Sequence, residues 1–152
     1  KALANGEVTR AHYARYLVQI GKVSNDGQAF KRYLGSGKSC FVKAEWVDIP
    51  TAIDTLHAAG GAAVIAHPMR YNMTGKWIRR LIVDFKQWGG DGMEVADSGQ
   101  TKDQRQYLAR LANEYDLAAS LGSDFHFPCG WIELGKNLFL PEEVKPIWTL
   151  FE

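Results

Sequence analysis

The sequence predicts an α/β fold with a parallel sheet, and three observations carry that prediction. Three short apolar runs, residues 62–66, 92–96 and 117–121, are each preceded by a segment whose apolar residues recur at helical spacing. The runs are apolar along most of their length rather than strictly alternating, as strands covered on both faces are. Glycines stand between helix and strand, with Gly60-Gly61 before the first run and Gly89-Gly90 before the second. This helix–strand alternation implies parallel strands with helices outside. Three strands are too few to close a barrel, which needs about seven or eight.

Residues 1–47 and 48–152 read differently. The first part is helical and poor in strands. Thr9 is a suitable N-cap for a helix carrying Tyr13, Tyr16, Leu17 and Ile20, with Gly21 just past its end. Ser24 is placed to cap a second helix bearing Phe30, Tyr33 and Leu34, closed by Gly35, and Cys40-Phe41-Val42 reads as a short extended piece. The second part alternates. Asp48 caps a helix that tolerates Pro50 in its first turn and turns Ile53 and Leu56 inward. After the strand at 62–66, Trp77, Leu81, Phe85 and Trp88 recur at steps of four, four and three along the next helix, which stops at Gly89-Gly90. A strand follows at Gly92-Met93-Glu94-Val95-Ala96, then a helix with Tyr107, Leu108, Leu111 and Tyr115 on one face, then the strand at 117–121.

Composition narrows the setting. With 152 residues, 46% hydrophobic and 23% charged, the chain is long enough for a core and ordinary for a globular protein. A formal net charge of +1 gives no global basic field of the kind that binds duplex nucleic acid. There is no run of 18 apolar residues, so no membrane span is expected, and no secretory signal is seen. Cys40 and Cys129 are isolated thiols, which fit a reducing cytoplasm better than a disulfide framework. Lys1 opens the sequence, and Lys1-Ala2-Leu3-Ala4 reads like the tail of a helix under way. The expectation is therefore a piece of something longer.

The chemistry-bearing residues gather at the ends of the predicted strands. The run at 62–66 enters His67-Pro68, and the run at 117–121 enters Gly122-Ser123-Asp124-Phe125-His126. Alternate side chains of an extended chain share a face, so Asp124 and His126 point the same way. Glu94 and Asp97 lie in or just after the middle strand. In parallel α/β barrels the C-terminal strand ends carry the active site. Any one of these side chains alone could simply satisfy a loop hydrogen bond. Their coincidence at three successive strand ends points instead to a metal-dependent hydrolase, with His67, Asp124 and His126 as metal ligands and catalytic residues. Imidazole nitrogen with carboxylate oxygen suits Mn²⁺, Zn²⁺ or Fe²⁺ rather than Ca²⁺. Three ligands are too few for a multinuclear centre. Glu94 could equally be a residue that only orients the strand end.

Cationic groups supply candidate substrate contacts. Thr9-Arg10-Ala11-His12 opens a helix, whose free N–H groups favour an anion, and Arg10 and His12 would add donors there. Arg70, three residues after His67, can reach the same cleft. Gly35-Ser36-Gly37-Lys38-Ser39 looks like the end of a phosphate-binding P-loop, but Arg32 stands where the motif needs glycine and the preceding residues read as helix. A nucleoside triphosphatase is excluded on that ground, though Lys38 stays a candidate phosphate contact. Arg79 and Arg80 read as a solvated helix face, His57 as structural, and Trp131 and Trp148 as core or subunit contacts.

Taken in order, His67-Pro68, Gly92-x-Glu94-Val95 and Gly122-Ser123-Asp124-x-His126 resemble the PHP (polymerase and histidinol phosphatase) family. Val8-Thr9-Arg10-x-His12-x-Ala14-Arg15, Tyr33-Leu34-x-x-Gly37-Lys38, Ala66-His67-Pro68-x-Arg70-Tyr71 and Cys129-x-Trp131-Ile132-Glu133-Leu134-Gly135 resemble one branch of it. That branch holds the 3′,5′-nucleoside bisphosphate phosphatases that also act as 5′→3′ exoribonucleases, the RNase AM type. The resemblance covers essentially the whole chain. It implies a distorted (β/α)7 barrel, with residues 1–47 part of its small helical insertion and 48–152 its C-terminal βα units. It implies a centre of two or three ions, usually Mn²⁺. His67 matches a late metal-binding His, Asp124 and His126 the final Asp-x-His pair, and Arg10, His12 and Arg70 match basic phosphate-receiving positions.

The family's opening His-x-His, its following Asp and His, and its early Glu are absent, so the N-terminal half of the same protein is the expected partner. The implied activity is removal of the 5′-phosphate from 3′,5′-bisphosphates, or stepwise trimming of 5′-phosphorylated RNA. Two alternatives stand beside it. One is a related phosphatase of a small metabolite such as histidinol phosphate. The other is a non-catalytic fragment, which would leave apolar strand edges uncovered.

Overall fold

A computed structural model describes residues 7–126, 130 and 133–151, and the chain divides into two compact units, Lys1–Trp46 and Val47–Glu152. In the first unit, helix α1 (Arg10–Gln19) starts at Thr9, whose backbone is extended. The Thr9 N–H donates to Nδ1 of His12 at 3.0 Å, closing the first turn from the side chain. The helix stops before Gly21, whose φ of +70° suits a residue without Cβ. Helix α2 (Asp26–Ala29) passes straight into a π-helical turn, Phe30–Leu34. Gly35 ends it by turning extended, and the position suits glycine because a Cβ there would sit 2.7 Å from the Phe30 carbonyl oxygen. The core of this unit is small: Ala14, Val23, Ala29 and Leu34, with Leu17, Val18, Phe30 and Tyr33 against them.

Two sequence expectations are corrected in this unit. The cap of the second helix is Asn25, not Ser24; its Oδ1 accepts the Gln28 N–H at 2.9 Å. Both residue types cap well, and the one in register with the third N–H wins. The extended piece expected at 40–42 does not begin at Cys40, which lies in a turn with its N–H donating to Tyr33 O at 3.0 Å. Tyr13, Tyr16 and Ile20 remain exposed at 54%, 52% and 46%, because a four-residue core has no room for them.

The second unit holds the sheet. Helix α3 (Ile49–Ala58) starts where Asp48 Oδ1 accepts the Thr51 N–H at 2.9 Å. Strand β1 (Val64–Ile65), helix α4 (Gly75–Gln87), strand β2 (Gly92–Asp97), helix α5 (Lys102–Glu114) and strand β3 (Ala118–Gly122) follow. The strands lie in the order β1-β2-β3 and both pairings are parallel, as the apolar runs predict. Val64 pairs with Gly92, and Gly92 with Ala118. A register irregularity between Glu94 and Ala96 brings Asp97 opposite Gly122. Beyond β3, Ala119 bridges Pro146, with its N–H on Lys145 O at 2.7 Å.

Ile53, Ile78, Ile82, Phe85, Met93, Val95, Leu108 and Leu111 make up most of the core. Burying a side chain such as Ile82 contributes about 1.5–3 kcal/mol. The inner face of α4 is not the one its tryptophans suggest. Trp77 and Trp88 are 63% and 40% exposed, while Ile78, Ile82 and Phe85 pack on the sheet. The two stripes share Phe85, and Leu81 of the first is partly buried against the same core. Leu56 and Trp148 are likewise exposed, at 45% and 49%. β1 is shorter than the run at 62–66 because only Val64 and Ile65 keep ladder pairing with β2.

Candidate functional site

Parallel strands deliver their C-terminal ends to one rim, where each chain leaves the ladder and turns toward a helix. After β1 the chain passes through Ala66 to His67, whose φ of 35° and ψ of 56° are left-handed, and Pro68 opens the short 3-10 turn Pro68–Arg70. Asp124, two residues past β3, is left-handed too, with φ of 53°. A residue with a Cβ pays about 1–2 kcal/mol for that conformation, so the surrounding contacts must hold it.

For His67 the hold is visible. Its backbone N–H donates to Oε2 of Glu94 on β2 at 3.0 Å, across two adjacent strand ends. Glu94 is 9% exposed. Burial raises its pKa above the ordinary carboxylate range, the charges of Asp97 and Asp124 add to the rise, and the His67 N–H and ring oppose it. Among the described residues, Oε1 of Glu94 and Nδ1 of His67 are buried without a hydrogen-bond partner. One is an oxygen acceptor and one an imidazole nitrogen. A Cβ on Gly122 would sit 3.5 Å from that same Glu94 oxygen, so the glycine keeps the space beside it thinly filled.

Arg70 ties the rim together. Its Nε donates to Asp97 Oδ2 at 3.0 Å and a second nitrogen lies 2.8 Å from the same oxygen. A third nitrogen bonds Asp124 Oδ2. Asp97 is only 3% exposed, and its other oxygen accepts the Gly99 N–H at 2.7 Å. His126 turns its Nδ1 to the Asp124 carbonyl oxygen at 2.8 Å, and its side chain is 73% exposed. A carbonyl only accepts, so Nδ1 carries the proton and the lone pair of Nε2 is left free. In the other unit the logic reverses: His12 Nδ1 accepts the Thr9 N–H, so the neutral ring carries its proton on Nε2, where it can donate.

The structure thus brings His67, Arg70, Asp124 and His126 to one rim with Glu94 and Asp97. Arg10, His12 and Lys38 belong to the Lys1–Trp46 unit, with Lys38 exposed in a turn whose N–H donates to Gly35 O at 3.0 Å. Among the described residues no three His, Cys, Asp or Glu side chains converge as a complete cation site. The donor set nevertheless fits a divalent ion of the Mn²⁺, Zn²⁺ or Fe²⁺ type in kind, with a buried unpartnered nitrogen and a buried unpartnered carboxylate oxygen, while Asp124 is paired with Arg70. Cys129 and Trp131 lie outside the described residues. His57 is structural, as expected, its Nε2 2.7 Å from Asp91 Oδ2. Arg79 is more than a solvated residue, since it grips both oxygens of Glu114 at 2.7 and 2.8 Å. The anchoring role of Asp97 was not readable from sequence; the signal was its place as the last residue of a strand, two before Gly99.

No family model matches the chain. It is 81% identical over 151 residues to a 5′-3′ exoribonuclease of Haemophilus influenzae, covering 99% of this chain and 55% of that protein. It is 50% identical over 147 residues to the 5′-3′ exoribonuclease Rnm of Escherichia coli, covering 97% and 50%. It is 41% identical over 146 residues to the 3′,5′-nucleoside bisphosphate phosphatase of Chromobacterium violaceum, covering 95% and 51%. An amidohydrolase from C. violaceum, solved with bound sulfate and no metal, superposes with a TM-score of 0.78 at 40% identity, over 94% of this chain and 50% of that one. A structure from Bifidobacterium adolescentis named as a metal-dependent phosphoesterase gives 0.63 at 27%, over 97% and 51%. The chain spans about half the length of the curated relatives it matches. It is a homologue, along that half, of the 5′-3′ exoribonucleases and 3′,5′-nucleoside bisphosphate phosphatases, the branch of the PHP family that its motifs resemble.

Proposed function

We propose that this chain is part of a metal-dependent phosphoesterase that removes the 5′-phosphate of 3′,5′-nucleoside bisphosphates and trims 5′-phosphorylated RNA in the 5′→3′ direction. One observation carries the reading: a buried imidazole nitrogen and a buried carboxylate oxygen, both without partners among the described residues, at adjacent strand ends beside Asp124 and Arg70. The names of the homologues supply the substrate class.

In this reading His67, Asp124 and His126 hold a divalent ion, Mn²⁺ by preference. When bound, such an ion supplies Lewis acidity toward a phosphoryl oxygen and lowers the pKa of water. Glu94 fixes the His67 backbone and so aims its ring. Arg70 keeps its grip on Asp97 while its third nitrogen exchanges Asp124 for a phosphate oxygen, a partner its planar fork suits equally well. Within the Lys1–Trp46 unit, Arg10, the Nε2–H of His12 and Lys38 are the proposed phosphate contacts. The Lys1–Trp46 unit corresponds to the helical insertion and the remainder to barrel units. The other half of the relatives' length carries the missing ligands. The cytoplasm is the proposed compartment; among the described residues no helix is long and apolar enough to cross a membrane.

The test is Mn²⁺-dependent phosphate release from a 3′,5′-bisphosphate by the full-length protein and its His67→Ala variant, with folding checked by circular dichroism. Loss of at least 100-fold in kcat/KM, about 2.7 kcal/mol, is expected. A folded variant with unchanged turnover refutes the assignment. Equal turnover of a simple phosphomonoester would favour the small-metabolite phosphatase instead.

A further inference from the structure

Charge is divided unevenly between the two units. Lys1–Trp46 holds eight Lys or Arg against three Asp or Glu, a net +5, while Val47–Glu152 holds ten against fourteen, a net −4. The overall charge of +1 therefore conceals a strongly basic unit. Arg10, Arg15, Lys22, Lys31, Arg32 and Lys38 are all exposed, and among the described residues none forms an ion pair with a carboxylate. In the second unit Arg70, Arg79, Arg80, Lys86 and Lys136 all do. Cations gathered without carboxylate partners repel one another and favour a polyanion.

Two open rings belong to the same unit. Tyr13 and Tyr16 are each more than half exposed. With Arg10 they follow one another at steps of three along α1, so neighbouring members of the series share a face of the helix. Phe30 and Tyr33 pack against the core of the unit, whereas Tyr13 and Tyr16 are left out of it. Together with Leu17, Leu34 and Val42, these three side chains line a mostly apolar cavity of about 550 Å³. That volume lies within the range of pockets that enclose small ligands. An apolar peptide would fill the cavity but gain nothing from the unpaired cations. A nucleotide strand uses both features, because its bases stack on aromatic rings and its phosphates meet Lys and Arg.

We propose that the Lys1–Trp46 unit is a binding surface for single-stranded RNA, with one nucleobase seated in this cavity against Tyr13 and Tyr16 and the flanking phosphates on Arg10 and the other cations of the unit. A base inside a duplex has both faces covered by its neighbours, so the surface selects unpaired strands. Stacking is tolerant of base identity, so the strand is held without its sequence being read. RNA, rather than another polyanion, is the strand because of the function proposed above, on which that choice rests. The surface then grips the body of a substrate whose 5′ end is the reacting part.

The experiment is fluorescence anisotropy on the full-length, metal-free protein with a 3′-labelled single-stranded oligoribonucleotide, at constant ionic strength. A strand of the same length and charge that lacks its bases is the reference probe. The wild type should bind the complete strand about fivefold or more tightly than the abasic one, the least that one stacked base contributes. Tyr13→Ala and Tyr16→Ala, checked for folding by circular dichroism, should each weaken the complete strand by about the same factor and leave the abasic strand unchanged. Tyr16→Phe, which keeps a ring, should bind like the wild type. Equal binding of the two probes by the wild type overturns the proposal whatever the variants do. Unchanged binding in the alanine variants, the result expected if another protein segment covers the cavity, overturns it as well. Mn²⁺-dependent phosphate release from a 3′,5′-bisphosphate is measured on the same proteins. A wild type that releases phosphate but binds both probes equally keeps the phosphoesterase reading and loses this surface. Base-dependent and tyrosine-dependent binding by a protein that releases no phosphate does the reverse.

Discussion

Arg70 is the residue whose removal has the most readable consequence. Its guanidinium meets two carboxylates, and one of them, Asp97, is 3% exposed. Arg70→Met keeps the aliphatic stem and leaves Asp97 with only the Gly99 N–H described on its oxygens. Stranding a fully buried charge costs about 3–5 kcal/mol. The Arg70 side chain is 40% exposed, however, so water screens part of the loss, and about 2 kcal/mol is expected. With a urea slope of about 2–3 kcal/mol/M, the unfolding midpoint of the metal-free full-length protein should fall by about 0.7–1 M. Adding Asp97→Asn to Arg70→Met should recover part of that loss, because the stranded charge is gone. A midpoint unchanged by Arg70→Met, or a double variant no better than the single one, would show that the bridge contributes nothing. Turnover adds a second axis: KM for bisphosphate should rise if Arg70 is also the phosphate contact.

Two further outcomes follow from local geometry. In Gly92→Ala a Cβ would meet the Ala118 carbonyl oxygen at 2.8 Å and Ile147 Cδ1 at 2.7 Å. Backbone on one side cannot yield, so thermal unfolding should show a loss of about 1–3 kcal/mol, with β2 and β3 forced apart. The Asp48 carboxyl titrates below its ordinary range because the Thr51 hydrogen bonds favour its charged form. A lowered folded-state pKa means that its contribution to stability is complete above the ordinary range and disappears as pH falls through the folded value. Asp48→Asn, which caps without titrating, should therefore flatten that acid limb in a pH series of melting curves; an identical limb in both proteins refutes the assignment.

Much of the candidate site was legible because strand ends announce themselves. An apolar run that stops at His67-Pro68, and another that stops at Asp124-x-His126, need no tertiary information. The parallel order follows from helices placed between strands. What could not be read depends on register and phase. Asp97 meets Arg70 only because the irregularity at Glu94/Ala96 sets where β2 ends against β3. The burial of Arg105 arises from Phe139 and Asn137, residues more than thirty positions away. Trp77 misled because large aromatic residues dominate a periodic pattern, while the thinner Ile78-Ile82-Phe85 stripe fits the sheet. Asn25 displaced Ser24 by one position, a distinction that residue preference alone does not make.

The left-handed backbone at His67 and Asp124 sets folding against chemistry at two fixed points. Glycine would occupy either conformation without the steric penalty, yet it would carry neither imidazole nor carboxylate. A library of variants sorted only for resistance to heat or protease should therefore accumulate glycine at these positions. The same library sorted for turnover should reject it. Where the two sortings part company, selection has kept a side chain that the backbone would rather be without.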